Sequence, residues 1–213
     1  MKKLLIFLLI VFGIFALGDH LARGFAEDKA ADELKNRLDL TSTPDVGLGG
    51  WPFLFGAVSG DFPSLQIDAE RVQMDRFQFS EVHLDLRDMN FSVSGVLKGN
   101  VGEVSAGGGT GSASIDQEDL NSILRREGAP FSIRLQEGSA VAKLPGGDEV
   151  GASVEVSGGN LEIGPQAHTG AVTVELPGIV DNIKYESAEV ADGVISVRLR
   201  IGPTTLQREL GGS

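Results

Sequence analysis

Side chains able to do covalent or metal chemistry are few and scattered. The three histidines, His20, His83 and His168, stand far apart and form no multi-histidine metal motif. The chain has no cysteine, which excludes disulfides, zinc ribbons, iron–sulfur sites, a thiol nucleophile and a lipidated N-terminal cysteine. Neither a Gly-x-Ser-x-Gly elbow nor a His-Glu-x-x-His helix occurs. His83, Asp85 and Asp88 could be read as an acid/base group, but alternation along Glu81–Arg87 sets them opposite Val82, Leu84 and Leu86. On that face they read as solubilising charges. Gly107 to Gly111 looks like a phosphate loop but lacks the Lys-Ser/Thr that would follow one. It reads instead as a flexible connection. These residues predict a protein that is not an enzyme and carries no cofactor and no metal.

The more informative chemistry is apolar. Gly49-Gly50-Trp51-Pro52-Phe53-Leu54-Phe55 holds the only tryptophan of the chain and leads to Gly60-Asp61-Phe62. Aromatics flanked by glycines around a proline do not read as an ordinary strand. Two readings stand: a core plug at one end of a sheet, or an apolar rim that touches a membrane, where tryptophan is favoured because part of it tolerates water.

Charge and composition narrow the partners. The 213 residues carry 18 bases against 30 acids, a net charge of −12, which argues against nucleic acid as a partner. With 41% hydrophobic and 23% charged residues the chain can bury a core, and 29 glycines fit many turns. Lys2 and Lys3 precede an apolar run from Leu4 to Leu17, and Ala16-Leu17-Gly18 is a small-x-small cleavage pattern. Residues 1–18 are therefore expected to be a signal peptide, or a signal anchor kept as a transmembrane helix. Export to the extracytoplasmic face of the membrane, periplasm or cell envelope follows as the expected location. Residues 19–213 are expected to form one domain.

The elements that must position the aromatic segment follow from periodicity. Leu21, Phe25, Ala26, Ala30, Leu34 and Leu38 predict an amphipathic helix over 19–40, with Asp19 as its N-cap. Leu65, Ile67 and Ala69 alternate with polar residues, then slip in phase to Val72 and Met74, as at a β-bulge. Val82, Leu84 and Leu86 form another alternating strand. Later strands read at 131–135, 140–144, 150–156, 161–163, 172–176, 183–190 and 194–201, with Asp192-Gly193 a hairpin signal. A second helix is expected over Ser114–Glu127, capped by Asp116 and closed by Gly128. The fold class is α+β: a long, curved antiparallel sheet around an N-terminal helix, with a second helix mid-chain.

The helix after a leader, Trp51-Pro52-Phe53-Leu54, Gly60 and the Leu65-x-Ile67-x-Ala69 strand resemble the LmeA-like phospholipid-binding family of bacterial envelope proteins. The Val82-x-Leu84-x-Leu86 strand and the Ser114–Glu127 helix fall where that family places them. The resemblance implies a relative of tubular lipid-binding folds, exported and non-catalytic. It implies a phospholipid or other acyl lipid as ligand, and the outer face of the cytoplasmic membrane as partner. Leu65, Ile67, Val82, Leu84, Leu86, Ile133 and Leu135 are then expected to line an apolar cavity for acyl chains. Trp51, Phe53, Leu54 and Phe55 should sit at its end. Arg71, Arg76 and Arg87 are candidate head-group cations. The alternative is an envelope domain with a filled core that binds only proteins.

Overall fold

The computed structural model describes residues 2–98, 103–166, 170–178 and 182–206. Among these residues the fold is α+β, with two antiparallel sheets and no closed barrel. The first half runs α1 (Lys2–Arg37), β1 (Asp45–Leu48), α2 (Phe53–Ser59), β2 (Asp61–Met74), β3 (Phe77–Asn90), α3 (Val93–Leu97), β4 (Val104–Ala106) and β5 (Gly108–Asp116). Then come α4 (Gln117–Arg126), β6 (Ser132–Gln136), β7 (Ser139–Lys143), β8 (Glu149–Ser157), β9 (Asn160–Pro165) and β10 (Val172–Glu175). The chain returns to the first sheet with β11 (Ile183–Ala191), β12 (Val194–Ile201) and β13 (Thr204–Leu206). One sheet has the order β1-β2-β3-β5-β12-β11, with β4 beside β3 and β13 beside β4. The other has the order β10-β9-β8-β7-β6.

Helix α1 joins the leader run to the expected amphipathic helix without a break. One glycine inside a helix costs only about 1 kcal/mol relative to alanine, so Gly18 does not end it. Leu21, Phe25 and Leu38 point to solvent, whereas Ala26 and Ala31 are buried. The helix therefore docks through small residues, against β1, α2 and α3, which lets the backbones approach closely. Among the described residues no helix is long and apolar enough to cross a membrane. Much of the expected signal peptide or signal anchor, at residues 1–5, 7–9 and 11, lies outside the described side chains. The run from Leu4 to Leu17 gives only about 21 Å of apolar helix against a hydrocarbon core of ~30 Å, and buried Asp19 follows it at once.

Two strands of 14 residues, β2 and β3, pair in one unbroken register from Asp61↔Asn90 to Met74↔Phe77. The phase slip after Ala69 is thus not a one-residue bulge. Both strands change face together, at Arg71, whose φ of 52° is left-handed, and opposite it between Phe79 and Val82. Next to them lies β5, which begins in the glycine run. Leu86 pairs with Gly109 and Leu84 with Gly111. A Cβ at Gly109 would lie 2.8 Å from Leu86 Cδ2, and one at Gly111 2.7 Å from Leu84 Cδ2. The glycines are bare because leucines of the neighbouring strand lie across them, and the expected flexible connection is a central strand.

Helix α4 fills the larger core. Leu120, Ile123 and Leu124 are buried among Phe77, Phe79 and Ile115 of the first sheet and Leu161 and Ile163 of the second. Its polar side chains also complete a sheet edge. Asn121 Nδ2 donates to the Ile133 carbonyl at 2.7 Å, and Asn121 Oδ1 accepts from the Ile133 amide at 2.6 Å. Gln117 Oε1 accepts from the Leu135 amide at 2.7 Å. The free edge of β6 is thereby paired with side chains of a helix in place of another strand. A smaller core of Ala26, Leu48, Phe53, Phe62, Met89 and Phe91 lies where α1 meets the sheet.

Candidate apolar lipid site

The Trp51–Phe55 segment begins where β1 ends. Gly50 has a φ of 101°, the Trp51–Pro52 peptide is cis, and α2 follows at once. This helix is short, and Gly60 closes it in the left-handed conformation, its amide donating to the Gly56 carbonyl at 2.7 Å. Gly56 is required by packing, since a Cβ there would lie 2.9 Å from both the Phe62 ring and the Asp61 carbonyl oxygen.

The segment divides into an anchor and an exposed face. Phe53 is 3% exposed, with its ring centroid 5.8 Å from Phe62, which stacks at 4.8 Å on Phe91. Trp51, Leu54, Phe55 and Val58 are exposed by 64%, 37%, 75% and 90%. Their spacing is i, i+3, i+4, i+7, the pattern of one apolar helix face, and here that face is turned to water. Phe12 of α1 meets Trp51 edge-on at 6.1 Å, and Phe15 and Ile14 of α1 are exposed as well. An apolar surface of this kind rarely stays in water without a purpose.

What aims this tip is a polar ladder on α1 at four-residue steps. Both oxygens of Asp19 cap α2, accepting from the Phe53 amide at 2.9 Å and the Leu54 amide at 2.8 Å. Arg23 donates to the Gly50 carbonyl, and Glu27 accepts from the Leu48 amide at 2.7 Å. Burial pushes the Asp19 carboxyl up, but the Leu54 and Phe53 amides and the Arg23 charge outweigh it and hold the carboxyl below its usual range. Asp19 therefore caps α2, and not its own helix as the sequence suggested. The Asp19, Arg23, Glu27 spacing was the available signal. Its partners lie 21 to 35 residues away and are backbone groups, so nothing in the sequence names them.

The other expected lining residues fall into two places. Leu65 pairs with Leu86 and Ile67 with Leu84, so these four form one patch on β2 and β3, and all are half-buried. Leu65 and Leu86 pack against the smaller core beside Phe53, and Leu84 packs against the larger one. The patch thus bridges the two cores. Val82, Ile133 and Leu135 lie elsewhere, at 7%, 3% and 2% exposure within the larger core, the last two on the second sheet. Of the candidate cations, Arg76 lies at the far end of the β2–β3 hairpin, while Arg71 and Arg87 are exposed along the strands. His83 sits beside Asp68, with Nδ1 2.5 Å from Oδ1. This pair lies on the strand pair that carries the leucines, and among the described residues no group of three or more His, Asp or Glu could hold a metal.

The model of the LmeA-like phospholipid-binding family matches residues 17–213. The chain belongs to that family. Neither a curated protein nor a solved structure matches it. In this LmeA-like protein the match includes both the tip and the leucine patch, together with the α1 ladder that holds the tip in place. Two polar clefts, of about 490 and 540 Å³, lie outside this region, and neither is lined by the tip or the patch.

Proposed function

We propose that this LmeA-like protein is a non-catalytic phospholipid carrier of the cell envelope. The tip of Trp51, Leu54, Phe55 and Val58 enters the interfacial layer of a membrane. An acyl chain then lies along Leu65, Ile67, Leu84 and Leu86. The observation that carries this reading is the apolar face of α2, held outward by three charged residues of α1. Each CH₂ removed from water contributes about 0.8 kcal/mol, so acyl chains can be held without a strong head-group clamp. That suits a chain with a net charge of −12.

The leader pattern of Lys2, Lys3 and Leu4–Leu17 supports export, with work at the outer face of the cytoplasmic membrane. Lipid transfer fits a patch that stays half-open, since a chain must be able to leave as well as enter. Native mass spectrometry of protein purified without detergent tests the reading. Co-purifying phospholipid, released on extraction and regained from vesicles, is the expected result. Bare protein that also refuses lipid offered in vesicles would contradict it and favour the filled-core alternative.

A further inference from the structure

The end of the molecule opposite the apolar tip gathers three arginines beside one cleft. The tip adjoins Asp61, where β2 begins, and 14 residues of strand at about 3.3 Å each place the β2–β3 turn some ~45 Å away. There the turn meets the last turn of α4. Arg126 Nη2 donates to the Arg76 carbonyl at 2.7 Å, and Arg76 Nη1 pairs with Glu127 Oε1 at 2.6 Å. Between the two elements lies the cleft of about 490 Å³. Arg76, Arg125 and Arg126 line it, with Gln73 and Gln78, which pair across the hairpin. Ser122 completes the rim, its hydroxyl accepting from Arg125 Nη2 at 2.8 Å. Asp119 is the one carboxylate in the lining.

We infer that this cleft binds a phosphate group. Three arginines line one cleft in a chain that has only 18 bases. Arg76 is paired with Glu127, each guanidinium keeps further N–H donors, and the planar fork matches phosphate oxygens. Two side-chain amides add donors at the rim, while the Ser122 hydroxyl donates to the Glu118 carbonyl at 3.0 Å. Helix polarity accounts for basic residues in the last turn of α4, but not for Arg76, Gln73 and Gln78 facing them from another element. The overall negative charge does not forbid the site. At physiological salt the screening length is about 8 Å, so a bound anion responds to the arginines beside it and little to distant carboxylates. The cleft is separate from the tip and the leucine patch, and its occupancy does not depend on them.

The test uses the full chain, with inorganic phosphate as first probe and the arginine Nε–H signals as the readout. Phosphate should shift Arg76, Arg125 and Arg126 saturably while other arginines stay still. Losing one charge-assisted contact corresponds to about tenfold in affinity, so Arg125→Ala with Arg126→Ala should weaken phosphate binding by tenfold or more. Asp119→Asn should tighten it, an outcome that misfolding cannot produce. Phe55→Asp should leave the phosphate shifts untouched. Vesicles then identify the source of the phosphate. If it belongs to a lipid head group, the Phe55→Asp chain keeps a residual binding to phosphatidylglycerol vesicles that the added arginine double variant removes and free phosphate competes away. If it belongs to a soluble ligand, vesicle binding is unchanged. Shifts that fail to saturate, or that ignore both the arginine variants and Asp119→Asn, would overturn the assignment.

Discussion

Phe55→Asp is expected to lower the affinity of the full chain for phospholipid vesicles about a hundredfold, with thermal unfolding unchanged. Phe55 is 75% exposed, so the substitution removes little from the folded core. Moving a phenylalanine from water into an apolar layer contributes ~1.5–3 kcal/mol. A carboxylate at that position loses this and adds the cost of dehydrating a charge near lipid, and about 3 kcal/mol in total is a factor near one hundred. Flotation with vesicles, alongside a circular-dichroism melt, reads both effects on one sample. Phe53→Asp is the contrasting control. Phe53 is packed against Phe62 and only 3% exposed, so its loss must destabilise the tip itself. Equal vesicle binding by the wild-type chain and Phe55→Asp would remove the tip from the account.

Asn121→Ala should cost about 3 kcal/mol of stability, a large share of the ~5–15 kcal/mol that holds a typical domain together. The side chain satisfies both the amide and the carbonyl of Ile133, at 2.6 and 2.7 Å, and also reaches the Gln117 carbonyl at 2.9 Å. Alanine leaves two backbone groups of β6 without partners beside a helix that blocks much of the access of water. Urea unfolding should show a lower midpoint at an unchanged slope, because the surface exposed on unfolding hardly changes. Vesicle binding by the folded fraction should persist, since the α4–β6 contact is remote from α2. A loss below about 1 kcal/mol would mean that water replaces Asn121 at that edge.

Local patterns were legible where they set their own structure. The alternation of Val82, Leu84 and Leu86 marks β3, the apolar spacing of 194–201 matches β12, and Asp192-Gly193 is the turn of the β11–β12 hairpin. Asp116 and Gly128 flank α4 as read, although the helix itself starts later, because Ser114 and Ile115 pair with β12 and are still strand. Where a residue's role depends on a distant partner, the sequence was silent. Gly109 and Gly111 look like a linker until Leu86 and Leu84 are laid across them. Asp19 looks like an N-cap for the helix it belongs to, and its two partners are amides more than thirty residues on. The candidate site shows the same limit. Trp51, Leu54 and Phe55 were picked out by composition, while Val58, the most exposed member of that face, was not. Hydrophobicity alone could not separate Val82, Ile133 and Leu135, which sit in the larger core, from the half-buried Leu65, Ile67, Leu84 and Leu86.

The chain carries its own reporter for the central claim, because its only tryptophan stands on the exposed face of the tip. Trp51 emission should shift to the blue when phospholipid vesicles are added to the wild-type protein, and lipids brominated in the acyl chain should quench it. Protein that floats with the vesicles while Trp51 emission stays red and unquenched would contradict the account, since lipid would then be engaged by some other surface.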